Sequence, residues 1–287
     1  MTELISVILA TYNRPDALDA VFRGLSRQTE RDFEIVIADD GSGTATAQVV
    51  KRWAAADSLP IAHVWHEDRG FRLAEIRNRA ILRSRGAYCI FLDGDCIPRP
   101  NFVATHRQLA EPGWFVAGNR VLLSRALTER VLCGGAEPET WGIAEILRQR
   151  FSGGINRITA LLDLPLGPLR KVNAARWRGA RGANLAIYRS DLDRVDGFDA
   201  AFSGWGREDS DIMVRLFRCG VRRKDGRFAT GVLHLWHPEN DRSALSANEG
   251  RIEDAIASHR TRAVRGLSSL APALVDPALT PAVHWPC

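Results

Sequence analysis

This sequence predicts a doubly wound α/β fold, a Rossmann-like, mostly parallel sheet with helices on both faces, and three observations carry that prediction. Short β-branched apolar runs, of the kind buried on both sides, recur through the first hundred residues. Amphipathic stretches at helical spacing separate them. Each run also ends in polar side chains, as parallel strands do at the rim where ligands bind.

The first run, ISVILA at 5–10, is followed by NRPDALDAVFRGLSRQ, where Pro15 suits a helix start and Leu18, Val21, Phe22 and Leu25 share one face. FEIVIADD at 33–40 reads as the second strand and TATAQVVKRWAAA as the second helix. IAHVWHED at 61–68 is the third strand, and RLAEIRNRAILRSRG the third helix, with Gly86 as its stop. AYCIFLDGD at 87–95 is the fourth strand. A further strand is expected within 115–124, and a helix around 246–266 before an Ala/Pro-rich tail.

The 287 residues are 45% hydrophobic and 25% charged, enough for one large domain or two joined halves, which excludes global disorder. The formal charge of +5 suits nucleic acid, membrane headgroups or phosphorylated small molecules equally. Five scattered cysteines without a C-x-x-C argue for a reducing compartment and against a disulfide scaffold or zinc ribbon. The start, with Glu3, is too short in apolar residues for a signal peptide, and no run approaches the ~18 apolar residues of a membrane span. A cytoplasmic protein is expected. Seven Arg and Lys against two acids make 141–178 basic, and its apolar residues keep roughly helical spacing up to Gly153–Gly154. Such an element can rest on a membrane, although an ordinary helix packed on the domain gives the same pattern.

Polar residues gather where the four strands end: Thr11, Tyr12 and Asn13; Asp39 and Asp40; Glu67 and Asp68; Asp93 and Asp95. In FLDGDC, Asp93 and Asp95 flank one glycine and can converge on a point, where they repel unless a cation or donor-rich ligand lies between. Hard ions such as Mn2+ or Mg2+ are held in this way, together with substrate phosphates. No P-loop is present, and GSGTAT at 41–46 lacks the third glycine of a dinucleotide fingerprint. VLHLWHPEN at 232–240 supplies His234 and His237, either of which could complete a metal site begun by Asp95. Finally, SGWGREDSD at 203–211 sets Trp205 between glycines and beside carboxylates, as a sugar site requires. Asp211 can pair with Arg215 one helical turn on and is read as structural.

ISVILATYNRPDAL, FEIVIADDGS, RNRAILRSRGAYCIFLDGDC and GANLAIYRSDLDRVDGFDAAFSGWGREDSDIMVRL together resemble inverting family 2 glycosyltransferases of the GT-A fold. GWGREDSD resembles the galactosyltransferase-type motif shared with β-1,4-galactosyltransferases and bacterial chondroitin-type polymerases. The resemblance covers about 4–125 and 180–240 and leaves 130–178 outside. It implies that Tyr12 and Asp40 contact the nucleoside and that Arg77 helps hold the nucleotide. Asp93 would face the ribose or metal, and Asp95 would ligate the metal on the diphosphate. Asp209 would be the general base, Glu208 an acceptor contact, and Trp205 part of a mobile loop touching both sugars. The pattern usually has Gly where this chain has Arg207, and Ala10 replaces a hydroxyl residue. Related patterns place a metal ligand at either His234 or His237.

The expected organisation is a nucleotide-sugar half at 1–98, then an acceptor half at 99–240 with a basic amphipathic insertion at about 130–178, then a C-terminal helix and tail at 241–287. The expected function is metal-dependent transfer from a nucleotide-diphosphate sugar, a UDP-sugar, to a saccharide or lipid-linked saccharide in cell-surface polysaccharide synthesis. A sugar-nucleotide nucleotidyltransferase would want a glycine-rich basic loop near the N-terminus, and a non-catalytic binding module would have no use for a base. Nucleic acid is not an expected partner, since 141–178 lacks a recognition motif.

Overall fold

A computed structural model describes residues 3–56 and 59–274. Along the chain the elements begin β1 (Ile5–Thr11), α1 (Pro15–Ser26), β2 (Phe33–Asp39), α2 (Thr44–Ala55), β3 (Ile61–Trp65), α3 (Leu73–Arg83) and β4 (Tyr88–Asp93). Next come β5 (Cys96–Pro98), α4 (Phe102–Leu109), β6 (Trp114–Ala117), β7 (Arg120–Leu122), α5 (Arg125–Leu132) and α6 (Ile143–Phe151). The chain then forms β8 (Asn184–Tyr188), α7 (Arg189–Val195), α8 (Glu208–Arg218), β9 (Arg222–Asp225), β10 (Val232–His234), α9 (Leu245–Ala257) and α10 (Leu267–Leu274).

Seven strands form one sheet in the order β3-β2-β1-β4-β8-β6-β9, and β8 alone runs against the rest. β1 and β2 are buried along their whole length, as their continuous apolar runs require. Their side chains alternate between two cores. Val7 and Leu9 pack with Leu18, Val21, Phe22 and Leu25 of α1 on one face. Ile8 and Val36 pack with Ile76 and Ile81 of α3 and Ile212 and Leu216 of α8 on the other. The doubly wound expectation therefore holds, with helices on both faces.

A smaller sheet, in the order β5-β10-β7, crosses the carboxyl end of β4 and ties the early chain to residues 232–234. The expected strand at 115–124 is divided between the two sheets. Gly118 donates its N–H to the carbonyl of Asn184, and beyond it the chain changes partners from β8 and β9 to β10. The expected helix at 246–266 stops at Ala257. Asp199 captures the N–H groups of Val264 and Arg265 and ion-pairs with Arg260, which holds that segment as a loop. In 141–178 only α6 is α-helical, and short 3-10 turns at Thr159–Leu161 and Gly167–Lys171 follow the glycines and prolines. Asp211 and Arg215 form a fully buried pair at 2.6 Å, the structural role read from their spacing. The expected tail lies, from residue 275 on, outside the described residues. Among the described residues, no helix is long and apolar enough to cross a membrane.

Candidate active site

The parallel strands deliver their polar ends to one rim, and the side chains there fall into three linked groups. In the first, Tyr12 is half exposed and its hydroxyl donates to Asp68 Oδ2 at 2.8 Å. That bond is the largest of several effects holding the phenol pKa above its usual value. Asp39 caps the turn after β2, accepting from the N–H of Ser42 at 2.8 Å, while His63 Nε2 lies 2.9 Å away. Asp40 is buried and meets His66 Nε2 at 2.6 Å and the N–H of Arg72 at 2.8 Å. His66 was not among the residues singled out in the sequence; its one signal is its place just after β3.

The second group centres on Arg77. α3 is amphipathic, yet this arginine faces inward and is 1% exposed. Its Nη2 donates to Asp93 Oδ1 at 3.0 Å and its Nη1 to Glu208 Oε1 at 3.5 Å, and its guanidinium lies 5.3 Å from the Phe198 ring. Gly182 backs it closely: a Cβ there would sit 2.6 Å from Nη1. Burial raises the Asp93 carboxyl above the usual range, Arg77 pulls it back, and Asp95 adds to the rise. Glu208 rises to about 7, first through burial and then through repulsion from Asp209. Asp209, in the first turn of α8, accepts from the N–H of Gly182 at 3.4 Å and from Ser210 Oγ at 3.3 Å. Before it, Gly204, Gly206 and Arg207 all have left-handed backbone, at φ 74°, 107° and 75°. Trp205 between them is partly exposed and carries the Arg242 guanidinium over its ring at 5.3 Å. The N–H of Gly204 is tied to the carbonyl of Phe71, and Asn248 of α9 donates to the carbonyl of Ser203 at 3.1 Å.

In the third group both histidines lie close to Asp95. His234 Nε2 lies 3.5 Å from Oδ1 and His237 Nε2 lies 3.4 Å from Oδ2, and one ligand atom from each of the three residues falls within 4.8 Å of the others. β10 pairs antiparallel with β5, setting His234 opposite Cys96, and the N–H of Leu235 binds the carbonyl of Asp95. The Nδ1 of His237 lies 2.6 Å from the carbonyl of Pro238. A carbonyl can only accept, so Nδ1 carries a proton and Nε2 is the nitrogen turned toward Asp95. Burial lowers the His234 pKa to about 4, which leaves that imidazole neutral near pH 7. Two imidazole nitrogens and a carboxylate thus converge on one small volume. The donor set fits Mn2+ or another divalent ion that accepts nitrogen and oxygen.

Known proteins agree with this architecture. The family model described as Glycosyl transferase family 2 matches residues 6–156, more than half of the chain, and that described as N-terminal domain of galactosyltransferase matches 173–237. The validoxylamine A glucosyltransferase of Streptomyces hygroscopicus subsp. jinggangensis is 29% identical over 247 residues, which cover 80% of this chain and 55% of that protein. The chain thus spans about half the length of such curated relatives. The mannosyltransferase PcManGT from Pyrobaculum calidifontis, solved with GDP-Man and Mn2+, matches at a TM-score of 0.56 and 18% identity, over 100% of this chain and 66% of that one. TarS of S. aureus, solved with UDP-GlcNAc, matches at a TM-score of 0.55 and 14% identity, over 84% and 60%. At these identities the likeness is one of fold, and that fold is GT-A. By the family match over more than half its length, the chain belongs to glycosyltransferase family 2.

Proposed function

We propose that the protein is an inverting glycosyltransferase moving a sugar from a nucleotide-diphosphate donor, a UDP-sugar, to a hydroxyl of a saccharide or lipid-linked saccharide. The product would be a bacterial-type cell-surface polysaccharide, built at the inner face of the plasma membrane. One observation carries this reading. Two carboxylate sites of different chemistry, Asp95 with two imidazoles and Glu208 with Asp209, are linked through the buried Arg77, which pairs with Asp93, two residues before Asp95, and with Glu208. Glycoside hydrolysis needs an acid and base pair and no cation site. The nucleotide sugars bound by PcManGT and TarS support a donor of this class.

Inverting transfer is an in-line displacement. The acceptor oxygen attacks the anomeric carbon while the bond to the diphosphate oxygen breaks on the opposite side. Asp209 takes the proton of the attacking hydroxyl, held in place by the N–H of Gly182. Glu208 orients the acceptor, and Trp205 offers its ring face to a sugar. Tyr12 and Asp40 hold the nucleoside, with Asp40 using lone pairs that His66 and Arg72 leave free. Arg77 and Asp93 position the nucleotide beyond them. Mn2+ or Mg2+ held by Asp95, His234 and His237 would supply positive charge against the departing diphosphate. The donor half, 1–98, and the acceptor half, 99–240, meet at Arg77.

A screen for UDP release over nucleotide sugars, with Mn2+ and saccharide acceptors, tests the reading. Asp209→Asn is expected to cut transfer by about 10²–10⁴-fold while UDP still binds with metal. Asp95→Ala is expected to weaken UDP binding and erase its metal dependence. Retained turnover in the first variant, or UDP affinity indifferent to metal, overturns the respective assignment.

The segment 141–178 supports contact with a bilayer. Phe151 is 87% exposed, Ile143, Leu169 and Val172 are also exposed, and α6 contributes Arg148 and Arg150. Sedimentation with phosphatidylglycerol vesicles, and not with neutral ones, is the expected outcome, lost in Phe151→Asp. Equal recovery with both vesicle types would count against it.

A further inference from the structure

An open cavity of about 400 Å³ adjoins the acceptor side of the site, and half of its fourteen lining residues are arginines. Among the described residues, no carboxylate lines it. Arg120 enters from β7, Arg223 from β9, and Arg176, Arg178 and Arg181 from the segment leading to β8. Among the described residues, only Arg227 of the seven has a carboxylate partner within ion-pair distance, Asp225 at 2.6 Å. Arg223 donates its Nη1 to the carbonyls of Arg176 and Arg178, and its Nε is buried without a partner. Burial lowers the Arg223 pKa, Asp225 opposes this, and Arg227 and Arg176 add to the lowering. Cations crowded in this way repel one another unless an anion enters.

The cavity shares a wall with the reacting groups. Arg181 and Ala183 line it, while the N–H of Gly182 between them donates to Asp209 Oδ2 at 3.4 Å. Arg120 lies opposite Val232 on β10, two residues from His234. We infer that this cavity binds the oxyanions of a charged acceptor, phosphate or carboxylate, and so fixes the neighbouring acceptor sugar against Asp209. The inference rests on the glycosyltransferase reading and names the chemistry of its acceptor. Guanidinium forks match phosphate and carboxylate oxygens in pairs, and several forks together select a ligand with more than one negative charge. A lipid-linked diphosphate and a run of uronate residues are the two sources of that chemistry.

The test measures binding of geranyl diphosphate, a glucuronate-bearing tetrasaccharide and neutral maltotetraose by calorimetry, with metal removed. The proteins are the full chain and an Arg176→Gln/Arg178→Gln double variant, whose two positions are exposed. At least one anionic probe is expected to bind about tenfold or more tighter than the neutral one, and to lose about tenfold in the double variant. Whichever anion gains identifies the source. Equal binding of all three probes, or anion binding unchanged in the double variant, overturns the inference. UDP titrated with Mn2+ separates the two levels: the double variant is expected to match the full chain. Failure of the full chain to bind UDP counts against the donor reading rather than against the cavity.

Discussion

At the scale of single residues, Arg207 is the position where this chain departs from the resembling motif, and its backbone gives the reason glycine is common there. At φ 75° a side chain crowds its own carbonyl, at a cost of about 1–2 kcal/mol. Arg207 offsets part of this by pairing with Glu249 at 2.8 Å, an exposed bridge worth about 1 kcal/mol or less. Arg207→Gly is therefore expected to be at least as stable as the natural chain in urea denaturation, and Arg207→Val clearly less stable. Equal loss in both variants would mean the ion pair dominates. Glu208 stores a second cost. Its pKa of about 7 lies above the unfolded value, so its contribution to stability is present below about pH 4.5 and is lost as pH rises through 7. Glu208→Gln is expected to raise the melting temperature at pH 8, to change it little at pH 5, and to lower transfer at both. A melting temperature that falls at pH 8 would show the carboxylate to be stabilising. These residues were legible as chemistry in the sequence, and their strain was not. A left-handed arginine and a carboxyl squeezed by burial both depend on neighbours far away in the chain.

At the scale of elements, the strands and helices up to β4 were readable because each is closed by its own local pattern. The errors fall where a distant group intervenes. Nothing in FVAGNRVLLS announces that Asn184 will take the N–H of Gly118 and turn the strand into another sheet. Likewise Asp199, not the local sequence, ends the helix begun at Leu245. The turn into β8 shows the same dependence with a functional outcome. Gly182 presses against Arg77 of α3 and donates to Asp209 of α8, so it sets the spacing between those two helices at the site. Gly182→Ala is expected to displace the Arg77 guanidinium, weakening UDP binding by about tenfold and transfer by more. A matched pair of UDP titration and turnover assays checks this, and unchanged values in both would show that the turn yields. His234 and His237 illustrate the opposite limit. Their spacing suggested a ligand, and only the folding-back of 235–237 over β5 could reveal that both face Asp95.

Across the whole molecule, one buried asparagine joins distant parts of the chain. Asn184 donates to the carbonyls of Asn119 and Thr230 and lies 3.2 Å, through Oδ1, from His106 Nε2. Burial lowers the His106 pKa to about 4. Its folded value lies below the unfolded one, so its contribution is full above about pH 6.5 and is lost as pH falls toward 4, up to about 3 kcal/mol. The natural chain is expected to lose stability steeply across that window, and His106→Leu to lose less, as read from urea midpoints at pH 7 and 4.5. Parallel slopes would place the acid sensitivity elsewhere. The smaller sheet adds a consequence for how the protein is made. Asp95 emerges from the ribosome early, whereas His234 and His237, which lie beside it in the proposed cation site, come from beyond β9. On the proposed reading, a nascent chain assembles the rim around Tyr12 and Asp40 long before the cation site, and ribosome-bound fragments ending before residue 232 are expected not to turn over nucleotide sugar.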